Sequence, residues 1–217
     1  MGQKKSKTSY FTNRGLYFGN EWHIYSYKNN KHYRLVSDVE LCYWLIFLEF
    51  NIDVKTYELH PTARLSFDPR PEKIAFTAEL MLCDGSIEWD LLFSEINEKS
   101  NRLIKLGKKL ADHYKVDLRI ISLNEIIPVK YKISPLLKVA ACLSAGKEIS
   151  LPFSLISELI SFTKEAKQGT FGDIIQNFIE YENSLVQYAI AKLFADGYLK
   201  VSYGRNFFAH DTEWCTQ

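Results

Sequence analysis

The sequence predicts an α/β chain in which a mixed sheet flanked by helices is followed by a mainly helical unit. Three observations carry that expectation. Between Ser37 and Ser122, helix-like stretches are interleaved with short extended runs. From Pro135 to Ala195 the pattern is helical, with one hairpin expected after it. Between these two regions, Pro128 and Pro135 bracket residues 129–134, which read as a linker and set the expected domains at 1–128 and 129–217.

The first expected element opens at Ser37-Asp38-Val39-Glu40, a capping box in which the Ser side chain takes a free amide and Glu40 returns to the cap amide. The run that follows, to Phe50, is apolar almost all round, so this helix should lie buried against a sheet. Extended segments are expected at Val54 to Leu59 and Ala63 to Phe67, interrupted at His60-Pro61 because Pro lacks the donor a ladder needs. Asp68-Pro69-Arg70-Pro71 reads as a turn, Ile74 to Leu82 as a strand, Asp84-Gly85 as a hairpin turn and Ile87 to Ile96 as the partner strand. Residues Ser100 to Tyr114 carry Leu103, Leu106, Leu110 and Tyr114 at helical spacing, with Lys105, Lys108 and Lys109 on the other face. Asp117 to Ser122 closes the unit as a short apolar strand of the kind found in the middle of a sheet.

In the second unit, helices are expected at Pro135 to Leu143 and Phe153 to Phe162. Two more follow, one capped by Thr170 and running to about Glu180, the other from Asn183 or Ser184 to Ala195 and ended by Gly197. Tyr198 to Tyr203 and Phe207 to His210 then read as a two-stranded wing joined at Gly204-Arg205. Helices followed by such a hairpin have the layout of a winged helix-turn-helix. Its exposed candidates for contact with DNA or a partner are Gln187, Lys192 and Arg205.

Composition restricts the function classes. The 217 residues are 47% hydrophobic and 14% aromatic, with 27 Lys+Arg against 26 Asp+Glu and a formal net charge of +1. Disorder needs low hydrophobicity and high net charge, the opposite on both counts. A protein holding duplex DNA by bulk electrostatics would carry a basic excess. Neither expected unit has one: 18 basic residues face 17 acidic before position 129, and 9 face 9 after it. Cys42, Cys83, Cys142 and Cys215 are widely spaced, with no CxxC pair, as expected of reduced thiols in a cytoplasmic protein. The basic N-terminus (Lys4, Lys5, Lys7) leads into polar and aromatic sequence rather than the apolar core of a signal peptide. The longest apolar run, Leu41 to Phe50, spans about half a membrane crossing and contains Glu49, so no membrane association is expected.

One set of motifs carries chemistry. A helix with Glu40 near its start is followed by Val54-Lys55-Thr56-Tyr57-Glu58-Leu59-His60-Pro61, Thr77-Ala78-Glu79-Leu80, Asp84-Gly85 and Glu95-Ile96-Asn97. In order and element type this resembles the TnsA endonucleases of heteromeric cut-and-paste transposons, which are PD-(D/E)xK nucleases with a winged-helix C-terminal domain. The resemblance spans most of the chain through short motifs. It implies a restriction-endonuclease-like sheet and a DNA endonuclease subunit that cleaves transposon ends using Mg²⁺. It further implies a transposase subunit and a regulatory ATPase as partners. Glu40, Glu79 and Glu95 would be the metal ligands.

Phosphodiester hydrolysis needs hard oxygen ligands to hold Mg²⁺ and a cation to orient water or offset charge. Here the family's Pro-Asp is Ala78-Glu79, and its Glu-x-Lys is Glu95-Ile96-Asn97 or, in a second register, Glu88-Trp89-Asp90. Neither register supplies the Lys, which leaves Lys99 as the substitute. Two readings follow: an active or impaired nuclease, and a non-catalytic scaffold that docks a transposase, an ATPase or DNA. Use of the fold in another mobile-element or phage-defence system is a third, since fold does not fix function. Lys105, Lys108 and Lys109 are candidates for the DNA backbone, and binding of the isolated chain to DNA should be weak.

Overall fold

The computed structural model describes residues 21–64, 73–204 and 208–216. It is an α/β architecture with a mixed sheet between helices. It opens with an antiparallel hairpin absent from the sequence expectations, β1 (Trp22–Ser26) and β2 (Lys31–Leu35). Helix α1 (Asp38–Tyr43) begins where the Ser37 cap predicts, with the Ser37 side chain accepting from the Glu40 amide at 3.1 Å. The capping box does not close as expected, because Glu40 Oε2 accepts from the Val36 amide instead, at 2.6 Å. From Trp44 to Glu49 the helix continues as a π-helix. Leu41, Cys42, Tyr43, Trp44, Leu45 and Leu48 are fully buried, which the all-round apolar pattern anticipates.

The strands that follow are β3 (Val54–Leu59), β4 (Thr62–Arg64), β5 (Lys73–Ala75), β6 (Ala78–Leu82) and β7 (Ile87–Phe93). The turn expected at 68–71 lies outside the described residues, as does most of the segment expected at 63–67. The strand expected over 74–82 is two strands, because β5 pairs with β4 whereas β6 pairs with β3 and β7. Asp84-Gly85 makes the expected turn, with Gly85 at φ +89° where a Cβ would strain the backbone. Strand β7 stops at Phe93 rather than Ile96, and Asn97 caps the next helix by accepting from the amides of Lys99 and Ser100.

That helix, α2 (Glu98–Tyr114), leads into β8 (Asp117–Ser122), parallel to β7. The stripe it buries is Ser100, Gly107, Leu110 and Ala111. Of the expected face, Leu103 and Tyr114 are instead exposed. Gly107 explains the rotation: a Cβ there would sit 3.0 Å from Leu91 Cδ1, so the helix approaches β7 along its glycine. Sheet order is β3-β6-β7-β8, which makes β8 an edge strand and not a central one. Its apolar character comes from cover on both faces, Leu118 packing with the α2 cluster and Ile121 with the main core.

Helix α3 (Leu123–Ile126) passes through a 3₁₀ segment (Ile127–Lys132) into α4 (Ile133–Gly146). The expected linker is therefore helical, with Pro128 in the first turn where its missing amide removes no bond. Then come α5 (Phe153–Ala166), β9 (Gln168–Thr170), α6 (Phe171–Asn177), α7 (Asn183–Ala195), β10 (Leu199–Val201) and β11 (Glu213–Thr216). These last strands form a sheet of order β10-β11-β9. The strand returning to β10 is thus 213–216, not the expected 207–210. Trp214 fixes that choice, being buried against α5 and α6 with its Nε1 donating to Thr170 O at 2.9 Å.

One hydrophobic cluster crosses the whole chain. Leu41, Trp44, Tyr57 and Leu80 are buried together with Leu136, Val139 and Leu143 of α4 and Tyr188, Ala191 and Phe194 of α7. The opposite side of α7 (Val186, Ala189, Ile190, Leu193) packs on α5 and α6. Among the described residues, no helix is long and apolar enough to cross a membrane.

Candidate functional site

Helix α1 lies on one face of the four-stranded sheet and α2 on the other, and the polar groups divide accordingly. On the α1 face, Glu40 is 4% exposed and occupied on both oxygens: Oε2 by the Val36 amide, Oε1 by His60 Nε2 at 2.8 Å. His60 sits at φ +57°, a strained conformation for a residue with a Cβ. It is held there by its amide, which donates to Thr77 O at 3.0 Å. One turn after Glu40, Tyr43 donates its hydroxyl to Asp90 Oδ2 at 2.6 Å. Asp90 is fully buried, and its Oδ1 has no hydrogen-bond partner among the described residues. Burial pushes its carboxyl up to about 7; the Tyr43 hydrogen bond and the Arg119 charge oppose the rise, and Glu88 adds to it.

The three expected metal ligands do not come together. Ala78 and Leu80, on either side of Glu79 in β6, are buried in the α1-face cluster, so strand alternation directs Glu79 to the α2 face. There Glu79 Oε2 accepts from Trp89 Nε1 at 2.6 Å, and Trp89 is buried with Leu110 and Ala111 of α2. Glu95 is exposed in the turn after β7, off the sheet altogether. Lys99 is exposed in the first turn of α2, where its amide serves the Asn97 cap. Asn97 is accordingly a helix cap rather than the last position of a catalytic motif. Among the described residues, no group of three or more His, Cys, Asp and Glu could hold a metal ion. These residues do not fit a shared Mg²⁺. Of the second register, Glu88 and Asp90 both lie on the α1 face, opposite Leu80 and Ala78 of β6, and Asp90 is partnered by a tyrosine.

The cationic candidates are dispersed. Lys105, Lys108 and Lys109 are exposed on α2, as the sequence predicts. Gln187 and Lys192 are half-buried on α7, and the Lys192 ammonium lies 5.7 Å from the Tyr27 ring and 5.8 Å from the Tyr188 ring. The face of α7 expected to be open is therefore partly covered, with Tyr27 of the N-terminal hairpin against Lys192. Arg205 lies outside the described residues.

A second polar cluster escaped sequence reading. Glu49 is buried at the end of the π-helical segment and accepts four hydrogen bonds. The donors are Ser26 Oγ (2.8 Å), Tyr57 OH (2.6 Å) and the amides of Tyr27 (2.6 Å) and Lys28 (3.2 Å). The Lys28 ammonium donates to the carbonyls of Leu48 (2.9 Å), Val54 (2.6 Å) and Asn51, closing the C-terminal end of the helix. The one signal in the sequence was a charge inside an apolar run, which calls for partners wherever it is buried. Three of the four donors come from a hairpin the sequence pattern did not reveal, and the fourth, Tyr57, from β3.

No family model matches the chain, and no curated protein matches it.

Proposed function

We propose that this chain is a TnsA-like component of a DNA transposition machine that works by docking, without hydrolysing DNA itself. The reading keeps the nuclease-like order of one helix, three antiparallel strands, a helix and a parallel strand, followed by a unit arranged like a winged helix. The observation that carries it is the divergence of the acids. Glu40 has both oxygens occupied, by His60 and by a backbone amide, Glu79 belongs to the opposite sheet face, and Glu95 stands off the sheet. A metal-dependent nuclease needs at least two such oxygens on one ion.

The cover on α7 supports docking over sequence readout. A recognition helix reads base edges with an open face, and both faces of α7 are engaged within the chain.

The test has two arms. Purified protein, alone and with the transposase of its element, is incubated with supercoiled plasmid carrying the element ends and Mg²⁺. No nicking above background is expected from the chain. In cells, transposition should tolerate Glu79→Ala and Glu95→Ala. Mg²⁺-dependent nicking by the chain that disappears in Glu79→Ala would overturn the proposal and restore the nuclease reading.

A further inference from the structure

The second half of the chain is balanced in total charge but not in its distribution. Between Glu125 and Glu148 there are four lysines, Lys130, Lys132, Lys138 and Lys147, and no acidic residue. From Glu148 to Glu182 six acids face two lysines. The basic stretch begins with the 3₁₀ segment 127–132, and two aromatic rings meet there. Tyr131, 57% exposed, stands edge-on to Tyr203 with centroids 6.4 Å apart. The Lys132 ammonium lies 5.2 Å from the Tyr203 ring and 5.9 Å from the Tyr131 ring, and the exposed Lys130 immediately precedes Tyr131 in the 3₁₀ segment. Tyr203 is backed by Phe194 of the core, with centroids 6.4 Å apart, so the platform rests on the main hydrophobic cluster.

We propose that Lys130, Tyr131 and Lys132, backed by Tyr203, form a binding site for single-stranded nucleic acid, with phosphates against the two ammonium groups and a base against Tyr131. A cation over a ring keeps its N–H donors for an anion, and every base has a face that stacks on an aromatic ring. An unpaired strand fits better than a duplex, because an exposed ring can stack only on a base already out of its own stack. The net charge of +1 also supplies none of the long-range attraction by which duplex binders gain affinity. The site rests on these side chains and not on the transposition role, so it stands or falls separately from the absence of nicking.

The test is fluorescence anisotropy with the full chain and a labelled oligothymidylate of about 20 nucleotides, over salt from about 50 to about 200 mM. Binding is expected with a log–log salt slope of about −1.4, the value for two phosphates on a single strand. Tyr131→Ala should weaken it about tenfold at unchanged slope, Tyr131→Phe should restore it, and Lys130→Ala should reduce the slope by about 0.7. Both altered side chains are exposed, so the fold should survive, which far-UV circular dichroism checks. Absence of binding at low salt, tighter binding of a blunt duplex, or affinity indifferent to Tyr131→Ala would each overturn the proposal. Equal competition by polyglutamate would do so too, and would assign the patch to an acidic protein.

Discussion

At the scale of single residues, the most consequential group is Asp90, a carboxyl with one donor and no water-facing atom. Its folded pKa of about 7 lies above the ordinary 3.8 because burial penalises the charged form. The folded state therefore holds the proton longer than the unfolded chain does. Between about pH 4 and about pH 7 the unfolded state loses the proton first, so stability falls as pH rises through that window and is flat above it. The span is worth on the order of 4 kcal/mol at 1.36 kcal/mol for each pH unit. Urea titrations at pH 5 and pH 8 should show wild type losing stability at the higher pH. Asp90→Asn should show a much smaller loss; an identical pH dependence in the two proteins would exclude Asp90 as its source. Tyr43→Phe leaves both Asp90 oxygens without a partner and should cost about 1–3 kcal/mol at pH 8, read from the same titrations. Glu40 teaches the complementary point. The sequence identified it as both cap partner and metal ligand, and its buried carboxylate is satisfied by a backbone amide and by His60, the residue flagged beside Pro61.

At the scale of elements, the hairpin β1–β2 locks the helix and sheet together. Its turn delivers Lys28 to the helix C-terminus and Asn29 to the edge of β3. There the Asn29 side chain donates to Tyr57 O at 2.8 Å and accepts from Tyr57 N at 3.4 Å, occupying backbone groups that would otherwise invite another strand. Lys28→Met strips three carbonyls of a charged donor and should destabilise by about 2–4 kcal/mol in urea unfolding. Asn29→Ala should cost about 1–2 kcal/mol and raise the rate of aggregation seen by light scattering. Elements built on local signals were legible in the sequence: the Ser37 cap, the Asp84-Gly85 turn, the span of β3 and the bounds of α7. Elements fixed by distant partners were not. The strand 213–216 is chosen by a tryptophan that must bury against α5, and β1–β2 by a glutamate 22 residues away from Tyr27 in sequence. The face of α2 was misread because a glycine, invisible to hydrophobic periodicity, packs against Leu91 of β7. The candidate site was legible as a set of acids but not as a geometry, since one residue of strand phase sends Glu79 to the far side of the sheet.

At the scale of the whole molecule, the expected boundary near Pro128 does not divide the core. Ile121 and Ile126 before it and Ile133, Leu136 and Val139 after it are buried in the same cluster, together with the α1 face of the sheet and one side of α7. Contact of this kind couples unfolding, because neither half can open without exposing apolar surface of the other. Helices α4 and α7 come close at Gly146, where a Cβ would come within 2.6 Å of the Tyr188 ring. Gly146→Ala should therefore push α4 from α7 and cost about 1–3 kcal/mol, as overpacking does. Chemical unfolding of the wild-type chain, followed in parallel by tryptophan fluorescence and far-UV circular dichroism, should give a single coincident transition. The probes report on both halves, since Trp22, Trp44 and Trp89 lie in the first and Trp214 in the second. A fragment spanning 129–217 alone would uncover Tyr188, Ala191 and Phe194 and should bind the dye ANS, which the intact chain should not. Two separated transitions, or a fragment that stays monomeric and silent to the dye, would mean that the shared cluster is too weak to make the halves one folding unit.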